Sequence, residues 1–267
     1  ADSAPEVERA RRFGAEGIGL ARTEQMARDP KSLLALRRMI LAAGPDGRRQ
    51  ALRDLLPLQR EALLRLFRAA APLHVCVRLF DPPLHEFLPQ GEAATRAFIL
   101  ETGADPGLVA ERIARLSETN PMLGHRGCRL GITYPEIYEA QARAIFEAAL
   151  AAERETGQKL APEILLPLVA TGREVELVRA LIEGIAAAVA SELGTRPDYS
   201  LGSMIELPRA ALCAGEIARA SEFFSFGTND LTQTSWGLSR DDAAPFLAEY
   251  ERRGVLSANP FVALDRD

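Results

Sequence analysis

From Asp198 to Gly237 the chain reads DYSLGSMIELPRAALCAGEIARASEFFSFGTNDLTQTSWG. Two short apolar runs, SLGSMI and EFFSFG, lead into the acidic residues Glu206 and Asp230, 24 positions apart. The intervening LPRAALCAGEIARA predicts one helix with Pro208 in its first turn. Strand, helix, strand at this length is a parallel crossover unit. Both carboxylates then emerge at the C-terminal edge of one sheet, where α/β folds carry their chemistry. Two hard oxygen ligands there suit a Mg²⁺ ion that keeps waters for a substrate to replace. A plainer reading makes Asp230-Leu231-Thr232-Gln233 a capping box and pairs Glu206 with Arg209. Gly227, Thr228 and Asn229 favour the ligand site: the glycine admits close backbone approach, and the other two add short polar groups at the strand exit.

Working outward, 267 residues suit one large α/β barrel or two small domains. Hydrophobic residues make up 47% and charged residues 26%, the balance of a globular protein. The net charge of −5 argues against a nucleic-acid surface, although the basic residues are almost all Arg and leave room for local anion sites. No apolar run is long enough for a membrane span, and no signal peptide is recognisable. Cys76, Cys128 and Cys213 lack metal-ligand spacing and are expected as reduced core residues of a cytoplasmic protein.

In chain order, Ser3-Ala4-Pro5-Glu6 predicts a capping box opening a helix to about Phe13. GIGLAR follows as a strand ending at Arg22-Thr23-Glu24. Two helices with 3.6-residue periodicity come next, SLLALRRMILAA, ended by Gly44-Pro45, and RRQALRDLLPLQREALLRLFRAAA, which carries Pro57. HVCVRLF is a buried strand, and Pro82-Pro83 force a rigid turn after Asp81. A helical region spans roughly Ala93 to Leu116. Cys128 to Ile132 is predicted as a strand, and Thr133-Tyr134-Pro135-Glu136 as a second capping box opening a helix to about Thr156. EILLPLVA is a strand, and Thr171-Gly172-Arg173-Glu174 a third capping box. After the opening stretch, a helix is expected near Asp241 to Arg253. About six strands alternating with helices mean a parallel sheet; a closed barrel needs eight strands and a doubly wound sheet accepts six, so the residues alone leave both architectures open. No glycine-rich nucleotide loop is present.

Arg22 and Arg78 sit at strand ends and share the edge with Glu206 and Asp230, while Arg126 and Arg129 bracket the start of the Cys128 strand and Arg240 follows the last strand. Arginine is the forked donor for phosphate and carboxylate, so the group suits a small, multiply anionic substrate. The alternative is that these arginines balance strand-end acids such as Glu24 and Asp81. His74, His85 and His125 show no ligand spacing, and no Ser-His-Asp or Cys-His arrangement is visible.

Together, GIGLARTE, VRLFDPPLHEFLP, NPMLGHRGCRLGITYPEI, GSMIELPRAAL and FFSFGTNDLTQ resemble the C-terminal barrel domain of the pyruvate, phosphate dikinase family across essentially the whole chain. Phosphoenolpyruvate synthase and enzyme I of the sugar phosphotransferase system share this barrel, but the DPPLHEFLP segment looks like the dikinase. The resemblance implies a TIM-type (β/α) barrel that interconverts pyruvate and phosphoenolpyruvate, a phosphohistidine on a separate swivelling domain as phosphoryl donor, and a homodimer in the full-length enzyme. By the same resemblance Arg22 and Arg78 bind the phosphate and stabilise its transfer. Glu206 and Asp230 hold Mg²⁺, Gly227, Thr228 and Asn229 bind the substrate carboxylate, and Arg240 is an additional phosphate contact. Enolate charge needs a Lewis acid and a transferring phosphoryl group needs fixed positive charge, in agreement with those roles.

Set against the family pattern, residues 1–267 are expected to form a barrel incomplete at both ends. The first strand ends in an ANAD-like segment, which the chain enters at Ala1-Asp2. The eighth carries a GICGEHGG-like motif whose cysteine protonates the enolate; it would follow Asp267. The chain is therefore expected to lack the proton donor and the nucleotide-binding and phosphohistidine domains, and to be inactive alone. Beside Arg22, Gln25 and Ala27 stand where the family often has His and Phe. Two other readings remain: a non-catalytic truncated barrel retaining anion and metal binding, and a metal-dependent lyase of the pyruvate-enolate barrel type. The lyase would not need the RTE and DPPLHEFLP segments.

Overall fold

A computed structural model describes residues 1–42 and 44–263. The chain opens with helix α1 (Ala4–Arg12), followed by strand β1 (Gly17–Arg22) and helices α2 (Thr23–Met26), α3 (Pro30–Leu41) and α4 (Pro45–Ala70). Strand β2 (His74–Arg78) leads through a short 3₁₀ turn into α5 (Gly91–Thr102), α6 (Pro106–Leu116), α7 (Gly127–Thr133) and α8 (Pro135–Thr156). Then come β3 (Glu163–Leu166), α9 (Gly172–Leu193), β4 (Ser200–Ile205), α10 (Pro208–Leu212), α11 (Ala214–Ile217), β5 (Phe223–Phe226), α12 (Thr228–Trp236) and α13 (Ala244–Arg252).

The five strands pair in strict chain order, β1-β2-β3-β4-β5, all parallel. The order never reverses, which rules out a doubly wound sheet and matches the neighbour-to-neighbour winding of an incomplete TIM-type barrel. Its edge strands are β1 and β5. The sixth strand expected at Cys128–Ile132 is helix α7 instead. A left-handed turn and two long-range hydrogen bonds explain the difference. Gly127 takes a left-handed φ of 58°, its N–H donates to the Asp81 carbonyl at 2.9 Å, and the Cys128 N–H donates to the Pro167 carbonyl at 3.0 Å. Gly131 then admits the Tyr138 ring so closely that an added Cβ would lie 2.8 Å from its Cγ. Tyr138 in turn donates its hydroxyl to the Phe80 carbonyl at 3.0 Å.

The expected capping boxes part in the same way. Thr171 and Glu174 form the reciprocal pair at the start of α9. At α8 no such pair forms: Thr133 donates back to the Arg129 carbonyl at 2.9 Å inside α7, and Glu136 is taken by buried Arg48. Ser3 makes no side-chain cap; Glu6 reaches past it to accept from the Asp2 N–H at 2.7 Å. The helix expected between β4 and β5 is two short ones, α10 and α11, interrupted at Cys213.

The main core lies between the outer face of the sheet and the helices, with Leu36, Met39, Leu63, Leu66, Phe67 and Phe146 fully enclosed. α4 packs against α3 and α8, and that burial holds α4 continuous through Pro57, where one backbone hydrogen bond is lost. On the inner face a smaller apolar layer gathers Cys76, Leu165 and Met204, flanked by Leu20 and Phe223. The period-2 alternation of parallel strands thus yields two apolar faces. What remains at the C-terminal strand ends is almost entirely charged.

Candidate active site at the C-terminal strand ends

Arg22 and Arg78 are register partners, the last residues of β1 and β2, so pairing sets them side by side. Arg22 is held by Asp2 from the loop before α1. The Asp2 carboxylate accepts from the Arg22 backbone N–H at 2.8 Å and from Nη2 at 2.6 Å, with Nε at 3.2 Å. Its guanidinium remains half exposed. Asp2 pulls the Arg22 side chain above the ordinary arginine pKa; Arg22 in turn holds Asp2 below its usual range, against the opposing effect of burial.

Arg78 is more enclosed. Its Nη2 meets Glu24 at 2.5 Å and its Nη1 meets Asp81 at 3.1 Å. Burial works against its charge, but the carboxylates of Asp81, Glu24 and Glu206 outweigh it and raise its pKa. Burial also pushes Glu24 above the usual carboxylate range, against the pull of Arg78. Arg78 Nε and Glu24 Oε2 are buried without a partner. Behind these strand ends, Gln141 of α8 donates to Thr23 Oγ1 at 3.0 Å and accepts from the Phe80 N–H at 2.8 Å, tying the ends of β1 and β2 to one helix.

Asp81 is the hub of the cluster. Besides Arg78 it accepts from Arg126 Nη2 at 2.6 Å and Nε at 3.2 Å, and Arg126 continues to Asp230 at 3.4 Å. A charged ladder therefore runs Glu24–Arg78–Asp81–Arg126–Asp230 across the strand ends. Arg126 is the residue before α7, where Gly127 closes on Asp81 and Leu168.

Glu206, one residue past β4, is buried. Its Oε1 accepts from the Leu168 N–H at 2.6 Å. Leu168 reaches that position with φ of 59°, a left-handed conformation that is costly for a residue with a Cβ. Asp230 lies in the first turn of α12, near enough for its charge to act on the Glu206 carboxyl. Burial first, then the charge of Asp81 and the proximity of Asp230, push Glu206 up to about 8. Gly227 makes this packing feasible, because a Cβ there would overlap Glu206 Oε2 and stand 2.6 Å from its Cβ. Thr228 and Asn229 are exposed beside it at the start of α12, where first-turn amides and the helix dipole favour an anion.

The structure thus joins Arg22, Arg78, Glu206, Gly227, Thr228, Asn229 and Asp230 along one edge. The plain alternatives do not form at the carboxylates: Glu206 bonds Leu168 rather than Arg209, and Asp230 lies inside α12 rather than at its cap. Arg240 stands apart: it is exposed, its backbone N–H donates to Gln233 Oε1 at 2.9 Å, and its side chain forms no ion pair among the described residues. Leu168 is a participant the residue pattern did not single out, and Arg126 and Asp2, though noted there, were not read as partners in this cluster.

The donor set fits a divalent cation. Five carboxylates (Asp2, Glu24, Asp81, Glu206, Asp230) face three guanidiniums (Arg22, Arg78, Arg126). The excess falls on the Glu206–Asp230 pair. Among the described residues no group of three or more His, Cys, Asp or Glu is placed to hold a metal, so two protein oxygens would leave the other positions to water or ligand. A cleft of about 940 Å³ opens beside the ladder, with Asp81, Arg126, Pro208 and Gln233 in its wall.

A family profile described as "PEP-utilising enzyme, PEP-binding domain" matches residues 1–260. The chain belongs to the PEP-utilising enzyme family. Within it, the chain is 52% identical over 265 residues to the pyruvate, phosphate dikinase of Rhizobium meliloti (strain 1021), covering 99% of this chain and 30% of that protein. It is 48% identical over 266 residues to the pyruvate, phosphate dikinase of Giardia intestinalis, covering 100% and 30%. It is 52% identical over 270 residues to pyruvate, phosphate dikinase 2 of Zea mays, again covering 100% and 30%. The chain spans about 30% of the length of these curated relatives. No described helix is long and apolar enough to cross a membrane.

Proposed function

We propose that this chain is the pyruvate/phosphoenolpyruvate half-site of a pyruvate, phosphate dikinase, within a PEP-binding barrel spanning residues 1–267. The observation that carries the reading is the meeting of Glu206 and Asp230 with the Arg78–Asp81–Arg126 ladder at one strand edge. Glu206 and Asp230 would hold Mg²⁺. When bound, the ion would supply a Lewis acid that offsets charge developing on the pyruvate oxygens.

The chain's own residues do the rest. Arg78, clamped on both sides, presents fixed positive charge to a phosphoryl group at no reorganisation cost. Arg22 adds a second guanidinium from the half-exposed side, where a phosphohistidine domain can approach. Gly227 lets the backbone close on the ligand, and Thr228 and Asn229 offer donors to its carboxylate. Arg240, at the rim, would contact phosphate only after its side chain swings inward. No cysteine of the chain is suited to deliver a proton: burial pushes Cys76 up to about 12 and Cys128 higher still, and Cys213 lies on the interruption between α10 and α11. The full-length enzyme would work as a homodimer in the cytoplasm, where Cys76, Cys128 and Cys213 stay reduced.

Isothermal titration of the intact protein with phosphoenolpyruvate, with and without Mg²⁺, tests this reading. Binding should require Mg²⁺ and disappear in Glu206→Ala. Metal-independent binding, or binding unchanged in that variant, would remove the carboxylate pair from the site.

A further inference from the structure

We propose that Asp2 is the positioning residue for Arg22: it fixes the guanidinium with one edge occupied and the other turned outward for the phosphoryl group. This rests on the reading of Arg22 as a phosphate contact.

Asp2 meets Arg22 at both its backbone and its side chain. One carboxylate oxygen accepts the Arg22 backbone N–H at 2.8 Å, which fixes the Cα at the end of β1. The other accepts Nη2 at 2.6 Å and Nε at 3.2 Å, a fork that sets the plane of the guanidinium. Nη1 is left without a protein partner among the described residues, on a side chain that is 45% exposed. Asp2 itself is largely covered, 13% exposed, and its loop is pinned by Glu6, which accepts the Asp2 N–H at 2.7 Å. The clamp is thus built from the loop before α1, pinned by Glu6 in that helix's first turn.

Compare Arg78, whose two terminal nitrogens are each matched by a carboxylate, Glu24 in α2 and Asp81 after β2. Arg22 has only Asp2. Without it, a long side chain at the open end of β1 would sample several rotamers, and ordering it would oppose ligand binding. Asp2 accepts that ordering beforehand while leaving Nη1 unengaged. A phosphate oxygen meeting Arg22 would then meet a group already aimed. Pyruvate, which carries no phosphate, would gain nothing from the clamp.

The test uses the intact protein with Mg²⁺, reading affinities for phosphoenolpyruvate and pyruvate by calorimetry in wild type, Asp2→Asn, Arg22→Ala and the double variant. Asp2→Asn should weaken phosphoenolpyruvate binding about tenfold, the scale of one lost hydrogen bond to a charged group, and leave pyruvate binding unchanged. In the Arg22→Ala background the same substitution should have no further effect. Asp2→Glu, which keeps the charge, should recover part of the loss. Equal losses for both ligands, or a full Asp2→Asn effect without Arg22, would make Asp2 merely structural and overturn the inference. Wild-type phosphoenolpyruvate affinity in Asp2→Asn, with a clear loss in Arg22→Ala, would overturn the inference alone. Wild-type affinity in Arg22→Ala would instead bring down the reading of Arg22 on which it rests.

Discussion

The two ends of the charged edge are built on opposite principles. At the β1–β2 end every guanidinium has its carboxylate: Arg22 with Asp2, Arg78 with Glu24 and Asp81, Arg126 with Asp81. At the β4–β5 end Glu206 has one backbone donor and Asp230 one long contact to Arg126. The first end is neutralised within the protein and can fold as it stands. The second is short of positive charge, and Glu206 responds by holding its proton up to about 8. On the proposed reading, the first half is completed by the chain itself and the second is where a cation would sit.

The largest break in that contrast is Asp81→Ala. It leaves Arg78 and Arg126 buried without their shared partner, and stability should fall by about 3–5 kcal/mol, the range for breaking a buried ion pair by removing one member. Urea denaturation measures it. A loss below about 1 kcal/mol, as for exposed pairs, would mean the arginine end is not a closed unit.

The next effect is a slope with pH. Glu206 has its native pKa raised above the ordinary carboxylate value of 4.5 to about 8. Between those values the native state binds more protons than the unfolded chain, so this group's contribution to stability is full below 4.5 and is lost as pH rises through 8. Thermal midpoints in metal-free buffer should therefore decline over that window, and Glu206→Gln or saturating Mg²⁺ should flatten the decline. An identical slope in Glu206→Gln would assign the titration to another group.

Smaller again, Gly227→Ala forces a Cβ against Glu206 and should cost about 1–3 kcal/mol, as overpacking does. Divalent binding should weaken with it, which a competition assay with a fluorescent chelator would read. Least of all, Arg240→Ala should change stability by no more than about 0.5 kcal/mol, because its side chain is exposed and unpaired in the described structure. A larger loss would show that Arg240 belongs to the cluster.

Much of this edge was legible in the sequence because strand ends are locally encoded. Apolar runs closed by Arg22, Arg78 and Glu206 needed only period-2 patterning and helix caps to be placed on one side of a sheet. The parallel direction then followed from the crossover lengths, whereas the residues alone leave the strand order open. The plain alternative, arginines balancing Glu24 and Asp81, holds at Arg78, but the link through Asp81 to Arg126 was not legible. Asp81 and Arg126 are 45 positions apart, and what joins them is the left-handed turn at Gly127, whose effect depends on Pro167 and Leu168 from another strand end. The same turn converted the apolar CRLGI into helix, although its composition suits a strand. Thr133 and Glu136 spelled a capping box, but Arg48 and the α7 carbonyls took both side chains. Long-range partners decided each of these, and a local pattern does not contain them. Asp2 was similarly hidden, 20 residues from Arg22 and outside any motif read for charge.

The central claim, that Glu206 and Asp230 form one divalent-cation site opposite a self-neutralised arginine cage, is tested most directly by electron paramagnetic resonance with Mn²⁺ as the oxygen-seeking stand-in. The intact protein should bind one Mn²⁺ at this site, with a spectrum that changes when phosphoenolpyruvate is added. That response should vanish in both Glu206→Gln and Asp230→Asn and persist in Arg240→Ala. A phosphoenolpyruvate-responsive Mn²⁺ signal undiminished in either carboxylate variant would contradict the account.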